Sequence, residues 1–122
     1  MDALTESAAA QKKGHVKLEK ISIKRIDEEF PDLSYLTQEG DEYAAENKKR
    51  LDSYGVTWNH IGIKAVAEIH TSRDGRHYTI NYIESGGLWG IESDSDEKYL
   101  KEIETEQIAE LKDILDILGI KE

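Results

Sequence analysis

The sequence predicts a single α+β domain: a three- to four-stranded antiparallel sheet, with a C-terminal amphipathic helix packed on one face and a shorter helix near residues 41–54. Three observations support this fold class. Apolar residues alternate along residues 61–71 and 77–84, and an Asp-Gly pair typical of a tight turn separates the two stretches. Apolar residues recur at helical spacing in the last third of the chain. A length of 122 residues is typical of one domain.

The N-terminal part predicts an arm followed by a strand. Residues 1–14 are polar and alanine-rich, so we expect a flexible arm before a single domain over residues 15–122. Residues 16–26 are rich in β-branched side chains, and their alternation changes phase midway. That change predicts a strand with a β-bulge near Glu19 and Lys20.

The shorter helix is predicted from its two ends. Asp41 is a suitable N-cap, because its carboxylate can accept a hydrogen bond from a free N–H of the first turn. Gly55 is expected just beyond the last turn, where many helices end on a glycine in the left-handed conformation.

The Asp74-Gly75 pair predicts a two-residue turn of type I′ and fixes an expected register. With this turn Ile69 faces Ile80, so the apolar residues of both strands share one side. The other expected pairs are Ala67 with Tyr82 and Thr71 with Tyr78 on that side, and His70 with Thr79, Glu68 with Asn81 and Val66 with Ile83 on the other.

Residues 85–96, SGGLWGIESDSD, form the most unusual segment of the sequence. Its glycines would let the chain turn sharply after Ile83, and residues 88–91 would then form a further short strand. Trp89 has two interpretations. It is either a core anchor for which the glycines make room, or a surface residue that grips a partner.

The last third of the chain predicts helix over residues 96–118, as one helix or as two. Asp94 or Asp96 is expected to cap the first segment, and Thr105 is a candidate cap for a second. Gly119 is expected to end the helical region.

The formal net charge of −10 favours basic partners and disfavours direct binding to nucleic acid or to anionic membranes. Solubility is the alternative explanation for this charge. The absence of cysteine excludes disulfides and thiolate metal sites. Together with a start that lacks the pattern of a signal peptide, it leads us to expect a cytoplasmic protein.

No sequence pattern indicates catalysis, and we expect neither a cofactor nor enzymatic activity. The acidic cluster Glu92–Glu97 is the best candidate for binding a metal, but it lacks the spacing of a calcium-binding loop, and acids at this position also suit helix capping. We expect no metal site. Neither a nucleophile elbow nor a phosphate-binding loop is present. The histidines are expected to face solvent or to be hydrogen bonded.

Two segments, PDLSYL and SGGLWGIESDSD, and the acidic helix after them resemble a group of small uncharacterised proteins from bacteria and their phages. The resemblance covers residues 17–36 and 61–118. It implies an origin in a mobile element but brings no reaction or cofactor. Small acidic proteins from such elements often bind host machinery, anti-CRISPR proteins among them.

These observations lead to the hypothesis of a non-enzymatic protein that presents an acidic face to a basic protein surface. In its sharper form, a phage or mobile-element inhibitor blocks a nucleic-acid-binding host protein of a defence system. The expected partner-binding residues are Trp89, Asp94, Asp96, Glu97, Glu102, Glu106, Glu110 and Asp113. The alternatives are a small metal-dependent hydrolase that uses the Glu92–Glu97 cluster, and an accessory protein whose charge serves only solubility.

Overall fold

The computed structural model describes residues 15–37, 40 and 42–121, so the predicted arm over residues 1–14 lies outside the described part. In chain order the described elements are β1 (Val16–Asp27), a 3-10 turn (Ser34–Leu36), α1 (Ala44–Asp52), β2 (His60–Thr71), β3 (Thr79–Glu84), β4 (Leu88–Glu92) and α2 (Glu97–Ile117). None of the described helices is both long enough and apolar enough to cross a membrane.

The four strands form one antiparallel sheet with β2 at its centre, which confirms the predicted α+β fold class. Strand β1 pairs with β2 along its length. On the other side of β2, β3 lies beside residues 66–71 and β4 lies beside residues 60–63. The sharp turn expected after Ile83 is therefore wrong. After a break at residues 85–87 the chain continues along the same side of β2.

The predicted bulge in β1 is confirmed. Leu18 lies opposite Ile69 and Lys20 lies opposite Glu68, so Glu19 is the extra residue. The bulge lets Leu18 and Ile21, which differ in phase, both pack against the core.

The predicted register of β2 with β3 is wrong by one residue. Ile69 lies opposite Asn81, and every other observed pair is shifted in the same way. Since neighbouring residues of a strand point to opposite faces, Ile80 and Tyr82 lie on the face away from α2, where they are 53% and 61% exposed. Ile83 packs against the core instead.

The shifted register follows from the connection between the strands, which is a seven-residue loop (72–78) and not a two-residue turn. The carboxylate of Asp74 accepts hydrogen bonds from the backbone N–H groups of Arg76 and His77. This side chain organises a wider loop, in which Gly75 adopts a φ of 75°.

Helix α2 packs on the face of the sheet that carries the odd-numbered residues of β2, as predicted for the C-terminal helix. Full burial of one leucine or isoleucine side chain contributes about 1.5–3 kcal/mol, so this contact fixes α2 firmly on the sheet. The two buried clusters are Ile61, Ile63, Ile91, Leu100 and Ile103, and Ala65, Ala67, Ile69, Leu111 and Leu115.

Residues 97–117 form one helix, so the two-helix alternative is wrong. Asp96 is the N-cap, and its carboxylate accepts a hydrogen bond from the N–H of Lys98. Thr105 lies inside the helix and donates its hydroxyl proton to the Lys101 carbonyl. Gly119, with a φ of 74°, follows the last turn as predicted.

Helix α1 is shorter than predicted. It begins at Ala44, and the expected N-cap Asp41 lies outside the described residues. The helix is closed by Ser53, whose N–H donates to the carbonyl of Lys49. Gly55 lies two residues further on, in a turn with a φ of 80°, so it does not end the helix directly.

Candidate functional site

Four of the predicted partner-binding residues form a stripe on the outward side of α2. Glu102, Glu106, Glu110 and Asp113 are spaced by four, four and three residues, which places them on one side of a helix. All four are exposed, whereas Leu100, Ile103, Gln107, Leu111 and Leu115 form the buried side of α2. The ion pairs of Arg25, Arg50 and Lys64 all go to carboxylates outside this set. We call this set the acidic stripe.

The acidic stripe is anchored to the glycine-containing break between β3 and β4. Oε1 of Glu110 accepts a hydrogen bond of 3.2 Å from the N–H of Gly86. Beneath it, Oε1 of the buried Gln107 accepts from the hydroxyl of Ser85 at 2.6 Å and from the N–H of Gly87 at 3.0 Å. Glu110 therefore has a structural contact, which the sequence did not indicate.

The three other predicted acids lie outside the stripe, and each has a partner within the fold. Asp94 forms two hydrogen bonds of 2.6 Å with the guanidinium of Arg50, which lowers the pKa of this carboxyl group. Glu97 forms an ion pair of 2.9 Å with Arg25. Asp96 caps α2. These interactions stabilise the N-terminal end of α2 and its neighbours.

Glu92 also has separate partners, so the Glu92–Glu97 cluster does not converge. Its Oε2 accepts a hydrogen bond from the Tyr35 hydroxyl at 3.0 Å and lies 3.3 Å from the Arg50 guanidinium. In the described part of the chain, no three histidine or acidic side chains are placed to hold a metal ion. The hydrolase alternative gains no support from this geometry.

Trp89 was expected to be either a core anchor or an exposed surface residue, and its position combines features of both. Its six-membered ring lies directly over Gly62 of β2, at the place where a Cβ atom would otherwise be. Its Nε1 group donates to the Gly86 carbonyl at 3.4 Å. The residue is nevertheless 47% exposed, so one face of the ring is packed and the other is open. The buried tryptophan is Trp58, which is 3% exposed.

Trp58 belongs to an aromatic cluster that the sequence analysis missed. Its ring meets Tyr54 edge to face at 5.0 Å between centroids, and the Arg50 guanidinium lies 3.7 Å from the ring centroid. Its Nε1 group donates to the Arg50 carbonyl at 2.8 Å. Three aromatic rings within the short segment 54–60 were the available signal, because a buried ring needs others to pack against.

His60 lies at the centre of this cluster and is 4% exposed. Its Nε2 is 2.9 Å from the Tyr35 hydroxyl, and its Nδ1 is 3.4 Å from Oε2 of Glu28. Its backbone N–H donates to the Tyr54 hydroxyl. The Tyr35 hydroxyl is also affected by this environment. Its burial, together with its hydrogen bond to Glu92, raises the pKa of Tyr35 to about 12.

The other histidines of the hairpin do not join His60. His70 contacts Glu68 at 3.0 Å, and His77 contacts Asp74 at 2.9 Å. This agrees with the expectation that the histidines are hydrogen bonded or face solvent.

Exposed aromatic and aliphatic side chains meet around a cleft at the outer edge of β4, with a volume of about 410 Å³. Tyr35, Leu88, Trp89 and Tyr99 line it, and each is between 41% and 49% exposed. The carboxylate residue Glu92 belongs to its lining. We call this the β4 cleft, and its complete lining is Tyr35, Leu88, Trp89, Gly90, Ile91, Glu92, Ser95 and Tyr99.

In comparisons with known proteins, the chain matches no family model, no curated protein sequence and no solved structure.

Proposed function

We propose that this protein is a non-enzymatic binding protein that uses the acidic stripe of α2 to engage a basic surface of another protein. The observation that carries the proposal is the contrast within α2 itself. Glu97 and Glu104 share an ion pair with Arg25, whereas the exposed carboxylates of the acidic stripe receive no ion pair from Arg25, Arg50 or Lys64.

The charge of α2 supports the same conclusion. The helix carries seven carboxylates and three lysines, and the chain as a whole has a net charge of −10. Such a surface accelerates encounters with basic proteins and repels polyanions. Because α2 is fixed on the sheet by its buried side, the carboxylates of the stripe are presented at set distances along a rigid helix. Little conformational entropy is then lost on binding.

A nucleic-acid-binding protein is the partner class that fits this surface, since its binding face is built to receive a row of negative charges. In that case the protein would compete with DNA or RNA. The sharper form of the proposal, a phage or mobile-element inhibitor of a host defence protein in the manner of anti-CRISPR proteins, rests on the resemblance of residues 17–36 and 61–118 alone.

The test reverses the charge of three stripe residues at once, as Glu102→Lys, Glu106→Lys and Asp113→Lys. Glu110 is left unchanged, because it holds the backbone of Gly86. The matched control reverses three exposed acids outside α2 and so changes the net charge equally. It combines Glu29→Lys, Glu42→Lys and Asp52→Lys.

Each variant is immobilised and used to capture proteins from a bacterial lysate at about 0.05 M and about 0.5 M salt, because screening weakens such contacts. We expect the wild type and the control to retain, at low salt only, a protein that binds duplex DNA or RNA and is released by it. The stripe variant should not retain it. Equal capture by the stripe variant would show that the acidic stripe is not the binding surface.

A further inference from the structure

We propose that the β4 cleft receives an arginine side chain of the basic partner, with its guanidinium stacked on Trp89. This inference rests on the proposed function and adds to it a specific anchor beside the acidic stripe. The β4 cleft combines aromatic ring faces with negative charge, and no group in the described part of the chain fills it.

The aromatic walls are held in place before any ligand arrives. Trp89 is fixed by its packing on Gly62 and by its hydrogen bond to Gly86. Tyr35 is fixed by its contacts with His60 and Glu92, and its ring is stacked on the His60 ring with 9° between the planes. A cation that enters therefore meets preorganised π faces, and little side-chain freedom is lost when it binds.

The charge around the β4 cleft selects a cation. Glu92 belongs to the lining, and Glu28 lies next to it, where its Oε1 accepts a hydrogen bond from the N–H of Gly90 at 3.1 Å. Arg50 is a neighbouring cation, and its two short hydrogen bonds go to Asp94, while its guanidinium also lies 3.3 Å from Glu92. The three carboxylates of Glu28, Glu92 and Asp94 thus outnumber the one guanidinium of Arg50, so the charge around the cleft is negative.

Arginine fits this combination better than an apolar or a neutral polar side chain. Its guanidinium is planar and weakly hydrated, so it stacks on an aromatic face and is attracted by the negative π cloud. The apolar side chain of Leu88 suits the methylene stem of an arginine that lies along the wall. An aliphatic ligand would fill the same space but would gain nothing from the negative charge of the lining.

The β4 cleft and the acidic stripe are continuous along α2. Tyr99 lines the cleft, and Glu102 of the stripe follows three residues later, on the same side of the helix. A basic segment that lies along the stripe can therefore place one of its arginines in the cleft.

The experiment is a titration of the whole protein with the blocked peptide acetyl-Gly-Arg-Gly-amide, followed by the two tryptophan indole N–H signals in NMR spectra. The comparison peptide carries citrulline, which has nearly the same shape as arginine but no charge. We expect the arginine peptide to move the signal of Trp89 and not that of the buried Trp58. The citrulline peptide should bind about five- to tenfold more weakly.

Two variants test the cleft, and one serves as control. Tyr99→Ala removes an exposed wall, and Glu92→Gln removes the charge of the lining. Each should weaken binding of the arginine peptide severalfold. Tyr82→Ala removes an exposed tyrosine of β3 that does not line the cleft, and should leave binding unchanged. Circular dichroism of each variant verifies its fold.

Equal affinity for the two peptides, or a Trp89 signal that does not move, would overturn the proposal. This assay uses no host protein, so its failure leaves the acidic stripe as the binding surface. A different outcome separates the two proposals in the other direction. If the arginine peptide binds as expected but reversal of the stripe charges does not change the lysate capture, the acidic stripe is not the binding surface and the proposal for the β4 cleft is retained.

Discussion

The outer face of the sheet, away from α2, differs between the two ends of β2. At the β4 end, Gly62 is covered by Trp89, and His60 is enclosed by the rings of Tyr35, Tyr54 and Trp58. At the β3 end, Ile80 and Tyr82 are more than half exposed. Both ends expose aromatic side chains, but Trp89 at the β4 end is fixed by ring packing and a hydrogen bond, whereas Tyr82 at the β3 end is 61% exposed.

This difference explains why we place a binding site at the β4 end. An exposed aromatic side chain is common on protein surfaces and is not a site by itself. A ring that is held on one face and open on the other can receive a ligand with little loss of entropy. Trp89 meets this condition, whereas the structure shows no packed ring face for Tyr82.

The largest effect is expected where the aromatic cluster is removed. Trp58→Ala should lower the free energy of unfolding by about 3–5 kcal/mol, because it leaves a cavity and removes the ring on which Arg50 stacks. Tyr82→Ala at the β3 end should change it by less than about 0.5 kcal/mol. Urea denaturation measures both. Similar losses for the two variants would contradict the comparison.

A smaller effect is expected at Gly62. Alanine in a strand is ordinarily as stable as glycine or more so, but a Cβ atom here would overlap the ring of Trp89. Gly62→Ala should therefore lower the free energy of unfolding by about 1–3 kcal/mol. In the Gly62→Ala variant, the further substitution Trp89→Ala should lower the free energy of unfolding by less than it does in the wild type. Additive effects of the two substitutions would show that the packing of the Trp89 ring does not depend on a glycine at position 62.

These contacts also show how far the sequence could lead. The alternation of β2 predicted the sheet, and the phase change in β1 predicted the bulge at Glu19. The apolar spacing of the last third predicted helix there without deciding between one helix and two. Burial of one face determines each of these patterns. The register of β3 could not be obtained in the same way. Alternation is compatible with either register, and the side chain of Asp74 selects the wider loop. A glycine at position 62 inside a strand was a readable signal of close approach.

The site was predictable only in part, for a related reason. The spacing of the acids on α2 indicated the stripe, since it depends on one helix alone. Which acids are neutralised depends on contacts distant in sequence. Arg50 reaches Asp94, and Arg25 reaches Glu97. Such pairs cannot be obtained from local patterns.

A third prediction compares the ion pair between α1 and the turn after β4 with the ion pair between β2 and β3. A double-mutant cycle with Arg50→Gln and Asp94→Asn should give a coupling of about 0.5–1 kcal/mol near neutral pH, because the pair has two hydrogen bonds. The cycle for Lys64 and Glu84, which share one hydrogen bond of 2.7 Å, should give a smaller value. A larger coupling for the lysine pair would reverse the comparison.

The coupling between Arg50 and Asp94 should also depend on pH. Arg50 lowers the pKa of Asp94, so the stability that the pair contributes is present above the ordinary carboxyl value of about 4 and is lost as the pH falls through the depressed value. Repeating the cycle in acid measures this loss. A coupling that stayed constant down to the lowest pH at which the protein folds would mean that the charge of Asp94 is not involved.

The last prediction concerns Tyr35, which joins the aromatic cluster to the β4 cleft. Its pKa is raised to about 12 in the folded protein, chiefly by burial, whereas an unfolded chain ionises near the ordinary tyrosine value of about 10. Because the folded state holds the proton more tightly, this contribution is complete below about pH 10 and disappears as the pH rises to about 12.

Melting temperatures of the wild type and of Tyr35→Phe should therefore converge over that alkaline range, since phenylalanine has no proton to lose. Tyr82→Phe serves as control for the exposed tyrosines of the β3 end. If the difference between the wild type and Tyr35→Phe stayed constant with pH, the Tyr35 hydroxyl would be no more protected than a solvent-exposed one. The β4 cleft would then lose one of the two walls that we describe as fixed.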